Sequence, residues 1–406
     1  MKYFNSSKPI TLNMSRDLTK HIKRGNPWVF SDVIQKLAKT ESGVVANLMS
    51  SKGELLGQGF YCPKINLCFR MLTLGKKKIS DQEIEKRLDL AIARRIHLLT
   101  NDNNTTRLIN GEGDDLPGLV CDIYGDVAVI KLDGEASENF WYAKAIAEFL
   151  LTKPELKLKT IYQKRRNSAD NKGEILAGES IDLTQVRFLE HGVIFESNII
   201  DAAKTGFFID QRENRNFIRK ISKGKTLLNM FGYTGGFSVY AGLGGATQVT
   251  TVDIAPEAIK ASQKIWQLNK LDPSKHEALT TDCFKFVEEA RKEKRLWDIV
   301  ITDPPSFAPN QKAIETAKEA YIKIFADSIR LTRHEGIFVA SSCSGHISSE
   351  LFVELCAEAV ARAKSRGKVL AINGQPEDHP FPMALPELRY LKFVMIQIFK
   401  DDEVSR

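Results

Sequence analysis

The spacing of apolar residues changes several times along this chain, and each change marks a different kind of secondary structure. Residues 1–75 hold short apolar segments such as Gly43–Leu48 and Leu55–Phe60, separated by Gly, Pro and Ser, a pattern that predicts a small β-rich domain. Ser80 and Glu83 then form a capping-box pair. Ile84, Leu88, Ala91, Ile92, Arg95 and Ile96 follow at helical spacing, which predicts a helix to about Leu99. After a polar stretch, two alternating runs within Leu119–Leu132 flank Tyr124-Gly125-Asp126 and predict a hairpin. A helix over Ala136–Leu151 and a strand over 188–195 complete an α+β middle domain, residues 76–195.

From about residue 224 the pattern becomes one of buried apolar runs alternating with amphipathic stretches, which predicts an α/β domain around a doubly wound, mostly parallel sheet. Strands are expected at Thr226–Met230, Gln248–Asp253, Ala278–Asp282, Trp297–Thr302, Gly336–Ser342, Leu370–Asn373 and Leu391–Phe399. Seven strands suit a Rossmann-like domain with an extra final strand, assigned to residues 196–406.

Composition fits this picture: 43% hydrophobic and 27% charged residues in a chain of 406 exclude disorder as the main state. The charge is unevenly placed. Against a net +7 for the whole chain, residues 1–80 carry 14 basic and 4 acidic side chains, so the remainder is close to neutral. A basic end on a neutral body points to a polyanion-binding module, with nucleic acid the expected partner. Lys23 and Arg24, close to Trp28, are the candidate phosphate contacts, although core packing is the simpler role for Trp28. No apolar run approaches the ~18 residues of a membrane span, and the first residues lack a secretory core. The six cysteines (62, 68, 121, 283, 343 and 356) show no C-x-x-C spacing, so neither a zinc site nor a disulfide framework is expected. The protein reads as cytoplasmic, metal-free and not membrane-bound. Its oligomeric state is open, a homodimer included.

Candidate chemistry gathers at the strand ends of the last domain. The first of these strands runs into Asn229-Met-Phe231-Gly232-Tyr233-Thr234-Gly235-Gly236, where glycines let backbone approach a ligand. Asp253 ends the next strand and suits the two hydroxyls of a ribose. Asp282 is placed to accept from an adenine amino group. Because the loop lacks G-x-G-x-x-G, a ligand with a ribose but no phosphate, such as S-adenosylmethionine (SAM), fits better than a dinucleotide. Each acid alone would equally serve as a helix cap. The fourth strand leads into Asp303-Pro304-Pro305-Ser306-Phe307.

Taken with Thr205–Arg215 and Ser342-Cys343-Ser344-Gly345, these segments resemble the large-subunit rRNA methyltransferase I family of class I SAM-dependent methyltransferases. Gly113–Leu119 is similar to a family stretch ahead of the middle hairpin. The resemblance implies an N-terminal PUA domain, a methyltransferase domain, and methylation of cytosine C5 in 23S rRNA. It also implies that Gln211 and Arg212 touch the cofactor, and that Phe231–Gly235, Asp253, Asp282 and Asp303 line its site. A guanidinium at Arg212 suits the methionine carboxylate, whereas a surface charge network with Asp210 and Glu213 is the alternative. For cytosine C5, a poor nucleophile, a thiolate must first add at C6, and Cys343 just beyond the fifth strand is the candidate. Asp303 is the candidate partner for the cytosine N3/N4 edge. Ser306 stands where many RNA cytosine-C5 methyltransferases carry a second cysteine, so the base for the C5 proton is not identified. His346 and His379 are weaker acid–base candidates. Two other readings remain: a base N-methyltransferase using Asp303-Pro304-Pro305, and an RNA-binding protein with an inactive methyltransferase fold.

Overall fold

The computed structural model describes residues 1–35, 40–168, 171–202, 204–308 and 310–400. The chain forms two compact units: Met1–Gly192 with Glu196–Ile209 and Glu377–Pro386, and Val193–Phe195 with Asp210–Pro376 and Glu387–Arg406.

The first unit holds two five-stranded sheets. One orders Ile10–Asn13, Val45–Met49, Leu55–Tyr61, Leu67–Leu74 and Trp28–Phe30; the other orders Asn171–Gly178, Thr160–Ser168, Val127–Leu132, Leu119–Tyr124 and Thr105–Asn110. The hairpin turns at Gly125-Asp126 as expected, and Ser80 caps its helix by accepting from the Glu83 amide at 3.3 Å. That helix, Asp81–Arg95, ends in a 3₁₀ turn at Leu98. The expected single helix over 136–151 is two, Gly134–Phe140 and Ala143–Leu151, and the expected strand over 188–195 is two, parted at His191 and Gly192, both at positive φ.

Arg95, which lies on the apolar face of its helix, is buried because it makes two hydrogen bonds to Asp114, at 2.7 and 2.8 Å. Asp114 belongs to the Gly113–Leu119 stretch. Gly113 of the same stretch lies so close to Pro380 that a Cβ would meet its carbonyl oxygen at 2.0 Å. This stretch thus links the Asp81–Arg95 helix to the Glu377–Pro386 segment of the same unit. His379, also in this unit, is buried with Nδ1 2.9 Å from Asp378.

The second unit is built on one seven-stranded sheet: β1 Thr226–Met230, β2 Gln248–Asp253, β3 His276–Thr280, β4 Trp297–Thr302, β5 Thr332–Ser342, β6 Ser365–Asn373 and β7 Lys392–Lys400. Their spatial order is 3-2-1-4-5-7-6, all neighbours parallel except β7, which runs antiparallel to β5 and β6. Three of the seven expected strands match in both bounds; the third lies two residues earlier, the fifth and sixth begin earlier, and the seventh lies one residue later. Both faces are covered, which is why the central strands are apolar nearly throughout. Leu228, Met230 and Val300 pack against Phe286, Phe325 and Phe352; Leu227, Ile299 and Val339 pack against Ile218, Phe237 and Trp266. With the strand order reversing between β1 and β4, the carboxyl ends of these strands open a crevice where such sheets bind ligands.

Beneath that edge runs a buried polar chain: Asn229 Nδ2 donates to Ser238 Oγ at 2.9 Å, Ser238 meets Thr251 at 2.7 Å, and Thr251 meets His276 Nε2 at 2.7 Å. His276 stacks on Trp266, and burial pushes its pKa down from 6.5 to about 4. The unfolded chain therefore binds the proton first as pH falls, so stability present above pH 6.5 is lost on acidification toward pH 4. The gap in thermal stability between wild type and His276→Gln should narrow between about pH 7 and about pH 4.5. A pH-independent gap would remove His276 as the cause.

Candidate functional site

The loop after β1 departs from ordinary backbone geometry in the glycine-rich segment expected to approach a ligand. Phe231 (φ 55°) and Tyr233 (φ 46°) both lie in the left-handed region, where a bulky side chain is strained. Such strain persists where the surroundings enforce it, and it concentrates at ligand sites. Here the enforcing contacts are visible. Gly232 N donates to Val252 O at 3.0 Å, Phe231 N to Cys283 Sγ at 3.2 Å, and Tyr233 N to Asp253 Oδ2 at 2.9 Å. Gly235 (φ 76°) precedes helix α1, Gly236–Leu243, and a Cβ there would meet Ser262 at 2.7 Å; at Gly232 one would meet Thr251 at 2.7 Å.

Asp253, at the end of β2, also accepts from Ala255 N through Oδ1 at 2.9 Å. One backbone donor on each oxygen fixes the carboxylate and leaves further acceptor sites on both. Asp282 lies two residues beyond β3 rather than at its end, exposed. Its Oδ1 caps helix α2, Cys283–Lys292, by accepting from Phe284 N and Lys285 N, while Oδ2 has no partner among the described residues. Asp282 is therefore a helix cap with one oxygen available.

Across the β1–β4 boundary, Gln211 is buried and donates both amide hydrogens within the protein, to Asp303 Oδ2 at 3.0 Å and Ser341 Oγ at 2.9 Å. Its Oε1 accepts from Asn214, whose own oxygen accepts from Asn373. Arg212 is buried at its side, with Nε on Glu213 at 3.0 Å. Asp303 follows β4 directly and Cys343 follows β5 directly, on adjacent parallel strands. The residues flanking Cys343 are fixed by hydroxyls: Tyr321 reaches Ser342 at 2.8 Å and Ser344 at 2.9 Å, and Ser306 meets Ser344 at 2.9 Å. Cys343 is half-buried, whereas the other five cysteines are buried. Burial pushes the thiols of Cys68 up to about 11 and of Cys62 and Cys283 up to about 12, leaving them inert.

A family model described as S-adenosylmethionine-dependent methyltransferase matches residues 107–382, and one described as PUA-like domain matches residues 10–74. A Deinococcus radiodurans protein named "Ribosomal RNA large subunit methyltransferase" is 34% identical over 97% of this chain and 98% of its own length. The "Ribosomal RNA large subunit methyltransferase I" of Alteromonas mediterranea is 31% identical over 97% of this chain and all of its own. This chain belongs to the SAM-dependent large-subunit rRNA methyltransferase I family. The methyltransferase fold is shared with a putative SAM-dependent methyltransferase from Streptococcus mutans, at TM-score 0.82 and 24% identity, covering 96% of this chain and 100% of that one.

The methyltransferase cofactor fits what this edge offers: a glycine cradle too tight for a Cβ, a fixed carboxylate with free acceptor sites, and a second acid with an available oxygen. The N-terminal candidates are exposed as a nucleic-acid contact requires, with Lys23 in an ion pair to Glu54 at 2.9 Å; Trp28 instead donates its indole N–H to Glu112. His346 is exposed. Sequence reasoning missed Ser341, Asn214, Tyr321 and Lys392, whose hydrogen bonds fix the Asp303 and Cys343 segments, and Cys283 beneath the loop. Of these, Asn214 carried a local signal, since it lies within the Thr205–Arg215 stretch. Asp253→Ala should weaken SAM binding about tenfold or more, as loss of hydrogen bonds to a charged group of about 1.5–3 kcal/mol implies. Calorimetry checks this, and unchanged affinity would exclude Asp253 from the cofactor site.

Proposed function

We propose that this methyltransferase forms 5-methylcytosine in 23S rRNA through a covalent bond to Cys343. The observation that carries this reading is the pairing of the half-buried Cys343 thiol with Asp303 on the ends of adjacent strands, in a family whose curated relatives are named for the large ribosomal subunit RNA. Phe231–Gly235, Asp253 and Asp282 would hold SAM, with Gln211 and Arg212 toward its methionine part. When bound, SAM supplies an electrophilic methyl group on a sulfonium.

The Cys343 thiolate adds to cytosine C6, and the electron pair displaced from the C5–C6 double bond makes C5 nucleophilic. With SAM bound, C5 would then be placed to take the methyl group from the sulfonium, with S-adenosylhomocysteine as the leaving group. Loss of the C5 proton to a base restores the double bond and expels Cys343 as thiolate, so the enzyme returns unchanged. Asp303, oriented by Gln211, takes up a proton when the base is bound, gives it to N3 as the thiolate adds so that the negative charge building on the ring is neutralised, and recovers it when Cys343 leaves. The division of labour follows: residues 1–75 recruit RNA through a basic surface including Lys23 and Arg24, residues 76–195 connect, and residues 196–406 catalyse.

The N-methyltransferase reading needs a stacking aromatic beside Asp303-Pro304-Pro305. Phe307 packs on Tyr321, ring centroids 4.8 Å apart, and against the core, which counts against it.

With SAM and RNA carrying 5-fluorocytidine, which has no C5 proton to lose, the wild type should give a covalent adduct visible on a denaturing gel, and Cys343→Ala none. Full 5-methylcytidine formation by Cys343→Ala, read by mass spectrometry of digested rRNA, would overturn the mechanism. The double variant Lys23→Ala/Arg24→Ala should bind RNA more weakly, and the slope of log affinity against log salt should shrink by about 1 for each phosphate that the variant no longer neutralises. An unchanged slope would move the RNA-binding surface elsewhere.

A further inference from the structure

Lys392 opens β7 directly opposite Ser342 on β5, beside the Cys343 turn. Its side chain is 2% exposed. The ammonium donates to two neutral carbonyls, Ser344 O and Tyr390 O, the latter at 2.8 Å, and no carboxylate pairs with it among the described residues. A buried lysine without a counter-ion is rare, because burial penalises the charge and the pair is what offsets it. Cys343 lies in the same turn, one residue before the Ser344 carbonyl that holds the ammonium, and a thiolate there favours the charged lysine.

Resting on the assignment of Cys343 as nucleophile, we propose that Lys392 is a positioning residue that serves as the counter-ion of the Cys343 thiolate, holding the Ser342–Ser344 turn by its hydrogen bonds and favouring the ionised thiol by its charge. Ionisation releases the thiol proton to solvent, and the resulting thiolate and ammonium form a neutral pair inside the protein. Burial pushes Lys392 down and a thiolate at Cys343 opposes it, for a net value of about 8, so the two charges favour one another. A resting ion pair also suits the final step of the proposed reaction, in which Cys343 must leave as thiolate.

Other groups reach the same turn. From helix α3, Ile314–Leu331, Tyr321 bonds Ser342 and Ser344, and burial holds its phenol above its usual range, so it stays neutral. From the end of β4, Asp303 is tied to Gln211, and its negative charge opposes thiolate formation. His346 stands exposed on the same segment. Lys392 is the buried cation among them.

The test is the pH dependence of Cys343 alkylation by iodoacetamide in the full-length protein, followed by peptide mass spectrometry. The five other cysteines are buried and serve as internal controls. In wild type the midpoint should lie below the usual cysteine value of about 8.5. Lys392→Gln keeps a donor for the carbonyls but loses the charge, and should raise the midpoint by about one unit or more; Lys392→Arg should restore it. If the Gln variant shares the wild-type midpoint, the hydrogen bonds alone account for Lys392 and the proposal fails. Should Lys392→Gln not fold, thiolate absorbance near 240 nm, taken as wild type minus Cys343→Ser, replaces it, and a midpoint at or above about 8.5 overturns the proposal. The 5-fluorocytidine adduct reports on Cys343 as nucleophile independently. An adduct with no Lys392-dependent midpoint defeats only the counter-ion role; a Lys392-dependent midpoint with no adduct defeats only the nucleophile.

Discussion

Both amide hydrogens of Gln211 are engaged inside the protein, and this single side chain ties the carboxylate that ends β4 to the strand that ends in Cys343. A buried amide with all its partners in place is rigid, because losing either bond leaves a polar group without water to replace it, at about 1–3 kcal/mol each. Gln211 is itself held through Asn214 and Asn373. The relative placement of Asp303 and Cys343, on which the proposed chemistry depends, is therefore set by a chain of amides rather than by the loops alone.

A second set of constraints acts from the opposite side. Tyr321, anchored in the apolar core by Phe325 and Phe352, presents its hydroxyl to both serines flanking Cys343. Lys392 takes the carbonyl of the second serine. The cysteine is thus clamped by its neighbours while its own side chain stays partly accessible. The other five thiols sit in the core, where burial keeps them protonated and out of reach. One fold treats six identical side chains in two ways, and packing makes the difference.

The glycine loop after β1 works on the same principle with backbone instead of side chains. Two aromatic residues held at positive φ cost conformational energy, and Cys283, Val252 and Asp253 supply the hydrogen bonds that hold them. Asp253 gains an orientation from the same bonds, so the strained loop and the carboxylate proposed to take the ribose form one unit.

Local information in the sequence was sufficient for much of this. Apolar period and turn residues marked the strands of the large sheet, and the capping box marked the helix at Asp81, because those signals arise within a few residues. The glycine loop, Asp253 and the Ser-Cys-Ser turn were legible for the same reason. Where local signals fell short, a longer-range force had decided: the helix over 136–151 broke in two, Asp282 moved from a strand end to a helix cap, and Arg95 turned inward to meet Asp114. The hydrogen bonds of Gln211 to Ser341, Tyr321 to Ser344 and Lys392 to Ser344 join residues 130, 23 and 48 positions apart. The sequence by itself determined which residues could do chemistry. Only the tertiary structure decided which of them are buried, paired and aimed together, because burial and charge pairing depend on neighbours that chain order does not reveal.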